Sequence, residues 1–163
     1  FRNLATVGGS IYGRYGFSDV LTMFLAMDSY VELYKGGIIP LREYAKMPYD
    51  RDILVRLIVK KEAASFDYQS VRNTQTDFPV LTCAAAKTEA GYRFAIGARP
   101  GKAALFELSN EDMKDKNVEN IAEYAAKCVK EQIVTGSNTR GSAEYRNHLA
   151  GVLVRRAVCK LGE

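Results

Sequence analysis

Residues Phe78–Ala98 read FPVLTCAAAKTEAGYRFAIGA. Phe78–Lys87 has the apolar character of a buried strand, Ala90-Gly91 turns the chain, and Tyr92–Ala98 resumes strand character. Strands this close in sequence pair antiparallel, because a parallel return needs a long crossover connection. Working outward, Ser65–Arg72 on one side and Ala103–Leu108 on the other extend the same sheet, and Ile53–Val59 (ILVRLIV) adds another strand before them. Asn73–Asp77 is the polar loop that interrupts the series.

Two helices close the chain. In Asn117–Ile133 the residues Val118, Ile121, Ala122, Ala125 and Val129 form one apolar stripe behind an Asn117 cap. In Ser142–Leu161 the stripe is Leu149, Val152, Leu153 and Ala157, with Arg146, Arg155 and Lys160 decorating the helix. Strands followed by helices, without strict alternation, predict an α+β fold. Ahead of the sheet, Ser18–Ser29 predicts a helix with Val20, Met23, Phe24 and Met27 on one face and Ser18 or Asp19 as its cap. Tyr30–Tyr34 and Ile38–Leu41 then form a hairpin about Gly36-Gly37. PYDRD, residues 48–52, is the expected internal boundary, dividing 1–48 from 49–163.

Composition narrows the chemistry. At 163 residues, 47% apolar and 26% charged, the chain suits an ordinary globular protein with a core that needs no disulfides. Cys83, Cys128 and Cys159 are odd in number, widely spaced and free of any C-x-x-C pair, and His148 is the only histidine, so zinc or iron–sulfur ligation by this chain is not expected. Reduced thiols in a cytoplasmic protein are the simplest reading. The sequence shows no membrane-length apolar run and no signal peptide. A net charge of +4 spread along the chain argues against nucleic acid as a partner. The first residue is Phe1, which fits a processed product or one piece of a longer protein.

No catalytic group declares itself. His148 has no neighbouring nucleophile or orienting carboxylate, and the cysteines read as small core residues. The stretch Thr6–Asp19, TVGGSIYGRYGFSD, is the better candidate site. Gly8 and Gly9 permit positive φ and close approach of an anion to peptide N–H groups, while Thr6 and Ser10 add hydroxyls. Asp19 can cap the next helix or accept from ligand hydroxyls. A tight turn before a capped helix is the plainer alternative. In Tyr68–Pro79, YQSVRNTQTDFP, Arg72 and Asp77 are expected to form a structural ion pair across a hairpin connection.

Three motifs in order, FRNLATVGGS…SD…LAMDSYVEL, then YQSVRNTQTDFPV, then RGSAEYRNHLAGVLVRRAV, make the chain resemble the FAD-binding medium subunit of the xanthine dehydrogenase and carbon monoxide dehydrogenase molybdenum hydroxylases. The resemblance runs from Phe1 to about Val158 and corresponds to the C-terminal part of that subunit. It implies that residues 1–48 end an FAD subdomain and 49–163 form the family's C-terminal α+β domain. It further implies FAD contacts at Thr6, Val7, Gly8, Gly9, Ser10 and Asp19, a corresponding Leu54 in the first strand of the second domain, and a loop at Asp77 and Phe78 near the isoalloxazine. Some members carry a lysine near the start of that loop, where Gln69 or Ser70 stands here. The SAEYR segment is expected to tie the last helix to the sheet through its arginine and tyrosine.

The resemblance implies electron transfer rather than substrate chemistry on this chain. Electrons would come from a molybdenum cofactor in a molybdopterin subunit through [2Fe–2S] clusters in an iron–sulfur subunit, and FAD would pass them to NAD⁺ or another acceptor. An N-terminal FAD subdomain, or a chain carrying one, would complete the site. No catalytic residue and no metal ligand is expected here. The competing reading is a non-catalytic assembly module without flavin binding of its own.

Overall fold

A computed structural model describes residues 4–162; Phe1–Asn3, which open the first motif, lie outside them. The elements are α1 (Val7–Tyr12), α2 (Asp19–Leu25), β1 (Ser29–Leu33), β2 (Gly37–Pro40), α3 (Leu41–Tyr44), β3 (Leu54–Val59), β4 (Ala64–Val71), β5 (Leu81–Thr88), β6 (Gly91–Gly97), β7 (Ala104–Ser109), a 3-10 turn (Glu111–Met113), α4 (Val118–Gln132) and α5 (Ala143–Gly162). The expected α+β fold is what forms. Strands β4-β5-β6-β7 make an antiparallel meander centred on the β5–β6 hairpin, in register Ala84↔Ala95 and Thr82↔Gly97.

One correction concerns β3. Expected to open the second sheet, it instead pairs antiparallel with β1, giving a separate three-stranded sheet in the order β2-β1-β3. Its Leu54 and Leu57 join Val31 and Leu33 of β1 against α1, α2 and α3. Local strand propensity says nothing about which distant partner a strand will find, and here the apolar face of β1 supplies it.

The meander is the middle layer of the molecule. Residues Leu81, Cys83 and Ala85 of β5 and Tyr92, Phe94 and Ile96 of β6 face α4 and α5 in one core. The alternate residues, Ala84, Ala86 and Ala95, face α2 and the small sheet in a second core. Both faces are therefore covered, which explains why six successive residues of β5 are buried. Helix α4 presents Ala122, Ala125 and Val129, as its stripe predicts, and α5 buries Leu149, Leu153 and Ala157. Val152 is half-buried, and Gly151, Val154 and Val158 are buried instead, because α5 is covered by both α4 and the sheet. Arg146, expected to decorate the helix, is fully buried.

Helix α2 departs from the expected face by one position. Its buried residues are Leu21, Thr22 and Leu25, with Ala26 after it, while Val20, Met23, Phe24 and Met27 are only half-buried. The reason is close approach. A Cβ on Gly97 would lie 2.3 Å from Thr22 Oγ1, 2.5 Å from Thr82 Oγ1 and 2.9 Å from the Gly16 carbonyl oxygen. The helix meets the sheet through its small side chains, and these carry little hydropathy signal.

Adding a methyl group at this contact over-packs a core with no slack, so Gly97→Ala is expected to lower the unfolding free energy by about 1–3 kcal/mol. Gly8→Ala, where the nearest atom to a new Cβ is 4.0 Å away, is expected to leave stability unchanged or raise it by up to about 1 kcal/mol. Urea denaturation of both variants checks the contrast; equal midpoints would mean that α2 does not depend on this spacing.

Candidate functional site

The glycine pair lies in a helix. Thr6 is extended and caps α1, its Oγ1 accepting the Gly9 N–H at 3.0 Å, and neither Gly8 nor Gly9 has positive φ. The loop expected from the sequence is replaced because a threonine cap starts helical geometry at Val7. A helix of six residues cannot hold itself in water. It is anchored by the fully buried Ile11 and by Leu54 of β3, which a Cβ on Gly8 would face.

The linker to α2 is fixed with equal care. Arg14 adopts φ 49° and buries its guanidinium among the rings of Tyr12, Tyr44 and Tyr49, at 5.6, 4.3 and 5.2 Å from their centroids. It donates to the Pro48 carbonyl at 2.6 Å and pairs with Asp50 at 3.2 Å. Burial in this cluster pushes the Tyr44 hydroxyl up to about 12. Ser18 ends the linker as the cap of α2, accepting from Leu21 N–H at 3.2 Å and donating to the Ser10 carbonyl at 3.1 Å. Tyr15 and Phe17 are left on the surface, stacked at 5.1 Å, and Phe17 meets Phe78 at 4.6 Å.

Between α1 and α2 lies a cavity of about 520 Å³. Thr6, Val7, Gly9 and Ser10 form one wall, Tyr15 and Phe17 the floor, Ser18, Asp19 and Val20 the opposite wall, and Phe78 contributes from the loop before β5. Six of the residues expected to contact a cofactor, Thr6, Val7, Gly9, Ser10, Asp19 and Phe78, thus meet at one place. Gly8 and Leu54 lie behind the α1 wall, and Asp77 sits one residue from Phe78.

The electrostatics around Asp19 differ from expectation. Arg72 does not form an ion pair with the Asp77 carboxylate. Its Nη2 donates to Asp19 Oδ2 at 2.6 Å, and its Nη1 donates to the Asp77 backbone carbonyl at 2.7 Å. Tyr68 Oη donates to Asp19 Oδ1 at 2.6 Å, and burial together with that carboxylate raises the Tyr68 pKa. Asp77 takes the Arg140 guanidinium instead, with Nη2 to Oδ1 at 2.8 Å, and also accepts the Phe78 N–H at 2.7 Å. The pairing changes because α2 docks its N-terminus beside β4, bringing a carboxylate 53 positions away in sequence into reach of Arg72.

Gln69, at the position where some members have lysine, points to the opposite face and donates to Asp67. In the SAEYR segment Arg146 does tie α5 to the sheet, donating to Val80 at 2.9 Å, to Gly136 at 2.7 Å and to Asn138 at 2.6 Å. Tyr145 does not share that role and is exposed. Tyr15, Phe17, Tyr68 as the partner of Asp19, and Arg140 are not legible in the sequence as site residues; only an excess of aromatics in GRYGFS hints at the first two. His148 is exposed on α5, and Cys83 is buried, its thiol pushed up to about 12 by burial. Among the described residues, no cluster of histidine, cysteine or carboxylate side chains could hold a metal ion, and no helix is long and apolar enough to cross a membrane.

Residues 66–161 match the family described as the CO dehydrogenase flavoprotein C-terminal domain, and residues 1–61 match the FAD binding domain in molybdopterin dehydrogenase. The uncharacterized protein YgfM of Escherichia coli (strain K12) is 30% identical over 154 residues, which cover 94% of this chain and 57% of YgfM. Quinoline 2-oxidoreductase from Pseudomonas putida 86 shares the fold with a TM-score of 0.81 at 19% identity, over 99% of this chain and 61% of that one. Reconstituted CO dehydrogenase from Oligotropha carboxidovorans does so with a TM-score of 0.79 at 20% identity, over 99% and 62%. The chain therefore spans less than two thirds of the length of each.

The Arg140 hydrogen bonds hold the Asp77 carboxyl below the usual carboxylate range. A depressed folded-state pKa contributes stability above the unfolded value of about 3.9, lost as pH falls through the folded value. The stability of Arg140→Ala is therefore expected to fall less steeply than wild type below about pH 4. Urea midpoints at pH 6 and pH 3 measure this, and parallel losses in the two proteins would show that the pair carries no acid sensitivity.

Proposed function

This chain belongs to the CO dehydrogenase flavoprotein C-terminal domain family, and we propose that it supplies one wall of an FAD site in an oxidoreductase of the molybdenum hydroxylase type. The observation that carries this reading is the convergence of Thr6–Ser10, Asp19 and Phe78 on one cavity, all but Phe78 lying in the stretch that matches an FAD-binding domain. The cavity suits an organic cofactor. Its volume of about 520 Å³ lies within the usual range for small-molecule sites, and its walls are mainly apolar with a few converging hydroxyls and a carboxylate.

Each residue has a definite task in this reading. The Thr6–Ser10 turn offers hydroxyls and a side-chain-free surface at Gly9, where any larger residue would crowd the Thr6 cap 3.1 Å away. Tyr15, Phe17 and Phe78 offer aromatic surface that excludes water. Asp19, held by Tyr68 and Arg72, fixes the corner where α2 begins. Bound FAD would supply the one- and two-electron chemistry, and these side chains hold and orient it. The relatives extend beyond the matched span, and sequence outside that span is proposed to complete the site.

The finer reading is a xanthine dehydrogenase-like medium subunit. Its proposed partners are an iron–sulfur subunit and a molybdopterin subunit, with NAD⁺ or another acceptor downstream. The proposed division into an FAD-binding part and a C-terminal α+β domain falls within residues 48–63, and the pairing of β3 with β1 favours a cut after Val59.

Isolation of the chain with its co-purifying partners, followed by flavin quantification, tests the reading. Wild type is expected to carry FAD, and Gly9→Val, which places a branched side chain in the α1 wall, to lose at least about 90% of it, a tenfold weakening of about 1.4 kcal/mol. Flavin content unchanged by Gly9→Val, in a complex that still assembles, would move the cofactor elsewhere. An assembled complex without flavin would favour the assembly-module reading.

A further inference from the structure

Among the described residues, Phe78 is the one cavity residue contributed from beyond Val20, so its place over the opening depends on how the 73–80 connection is held. The Arg72 guanidinium spans the gap. One nitrogen donates to Asp19 on the α2 wall at 2.6 Å and another to the Asp77 carbonyl at 2.7 Å, immediately before Phe78. Its side chain is 20% exposed, enough burial to keep both bonds from being washed out by solvent. Arg140 braces the same loop from behind, through the Asp77 carboxylate and with its guanidinium 5.3 Å from the Phe78 ring centroid.

From this geometry we infer that Arg72 is the positioning residue of the cavity, its two-armed fork setting the distance between the Asp19 wall and Phe78. The inference rests on the FAD reading for its functional consequence but not for its geometry. A lysine preserves the charge and can salt-bridge Asp19, yet a single ammonium group lacks the planar, divergent donors that serve both acceptors. Charge alone predicts rescue by lysine; positioning predicts failure.

The experiment uses the 163-residue chain as wild type, Arg72→Lys and Asp19→Asn. Two quantities are measured: nuclear Overhauser effects between the Phe17 and Phe78 rings, and FAD affinity by fluorescence anisotropy. Arg72→Lys is expected to keep its thermal midpoint within a few degrees, to abolish the Phe17–Phe78 effects and to bind FAD at least tenfold more weakly. Asp19→Asn, which leaves Arg72 in place but weakens one arm, is expected to attenuate the same effects, and it decides the matter if Arg72→Lys does not fold. Ring proximity and affinity equal to wild type would overturn the inference. Separation of the two rings with FAD affinity unchanged, or with no FAD binding by wild type, would uphold the positioning role and count against this cavity as the flavin's.

Discussion

Helix α2 can lie on the four-stranded sheet only because the centre of that face, Thr82, Ala84, Ala95 and Gly97, carries nothing larger than threonine. Much else follows from this contact. It turns the meander into a middle layer with cores on both sides, so the strands read as continuously apolar instead of alternating. It also sets where α2 begins. With the helix body seated on β5 and β6, its first residue arrives beside β4, and Asp19 meets Tyr68 and Arg72. The cavity lies at that end of the helix, so site geometry and core packing have one origin.

The parts legible in the sequence are those with local causes. The β5–β6 hairpin, the α4 stripe and the Asn117 and Ser18 caps each rest on residues within a few positions of one another. The parts that are not legible depend on distant partners. β3 has ordinary strand composition, and only the apolar face of β1 decides that it joins the small sheet. The buried face of α2 lies one position from the expected one because it is made by Thr22 and Ala26, whose value lies in smallness. Likewise, Arg72 and Asp77 are near in sequence and opposite in charge, yet Asp19 and Arg140 reach them first in space.

Arginine recurs at the joints of the molecule. Arg14 links the α1–α2 linker to the 44–50 segment, Arg72 links α2 to the 77–78 loop, Arg140 links that loop to the α4–α5 connection, and Arg146 ties the same connection to the start of β5. Each serves acceptors from separate chain segments, a task for a fixed fork of donors that a lysine head performs poorly. Arg146 is fully buried and donates to backbone carbonyls and an amide oxygen, and burial lowers its pKa. The net charge of +4 is thus partly an internal framework, and it needs no polyanion to explain it.

The linker between α1 and α2 shows what this framework accomplishes. Arg14 and Ala98 are both non-glycine residues in the left-handed region, at φ 49° and 58°, and they flank the same contact, where the Ala98 N–H donates to the Gly16 carbonyl. Such conformations cost of order 1–3 kcal/mol each and persist only where the surroundings over-determine them. The surroundings do so: the tyrosine cage holds Arg14 from one side, and the crowded Gly16–Gly97–Gly101 contact holds Ala98 from the other. Relaxing either strain would let Tyr15 and Phe17 swing away from the cavity. Strain held in the linker is therefore strain that a ligand need not supply on binding, so the aromatic floor is set before anything enters.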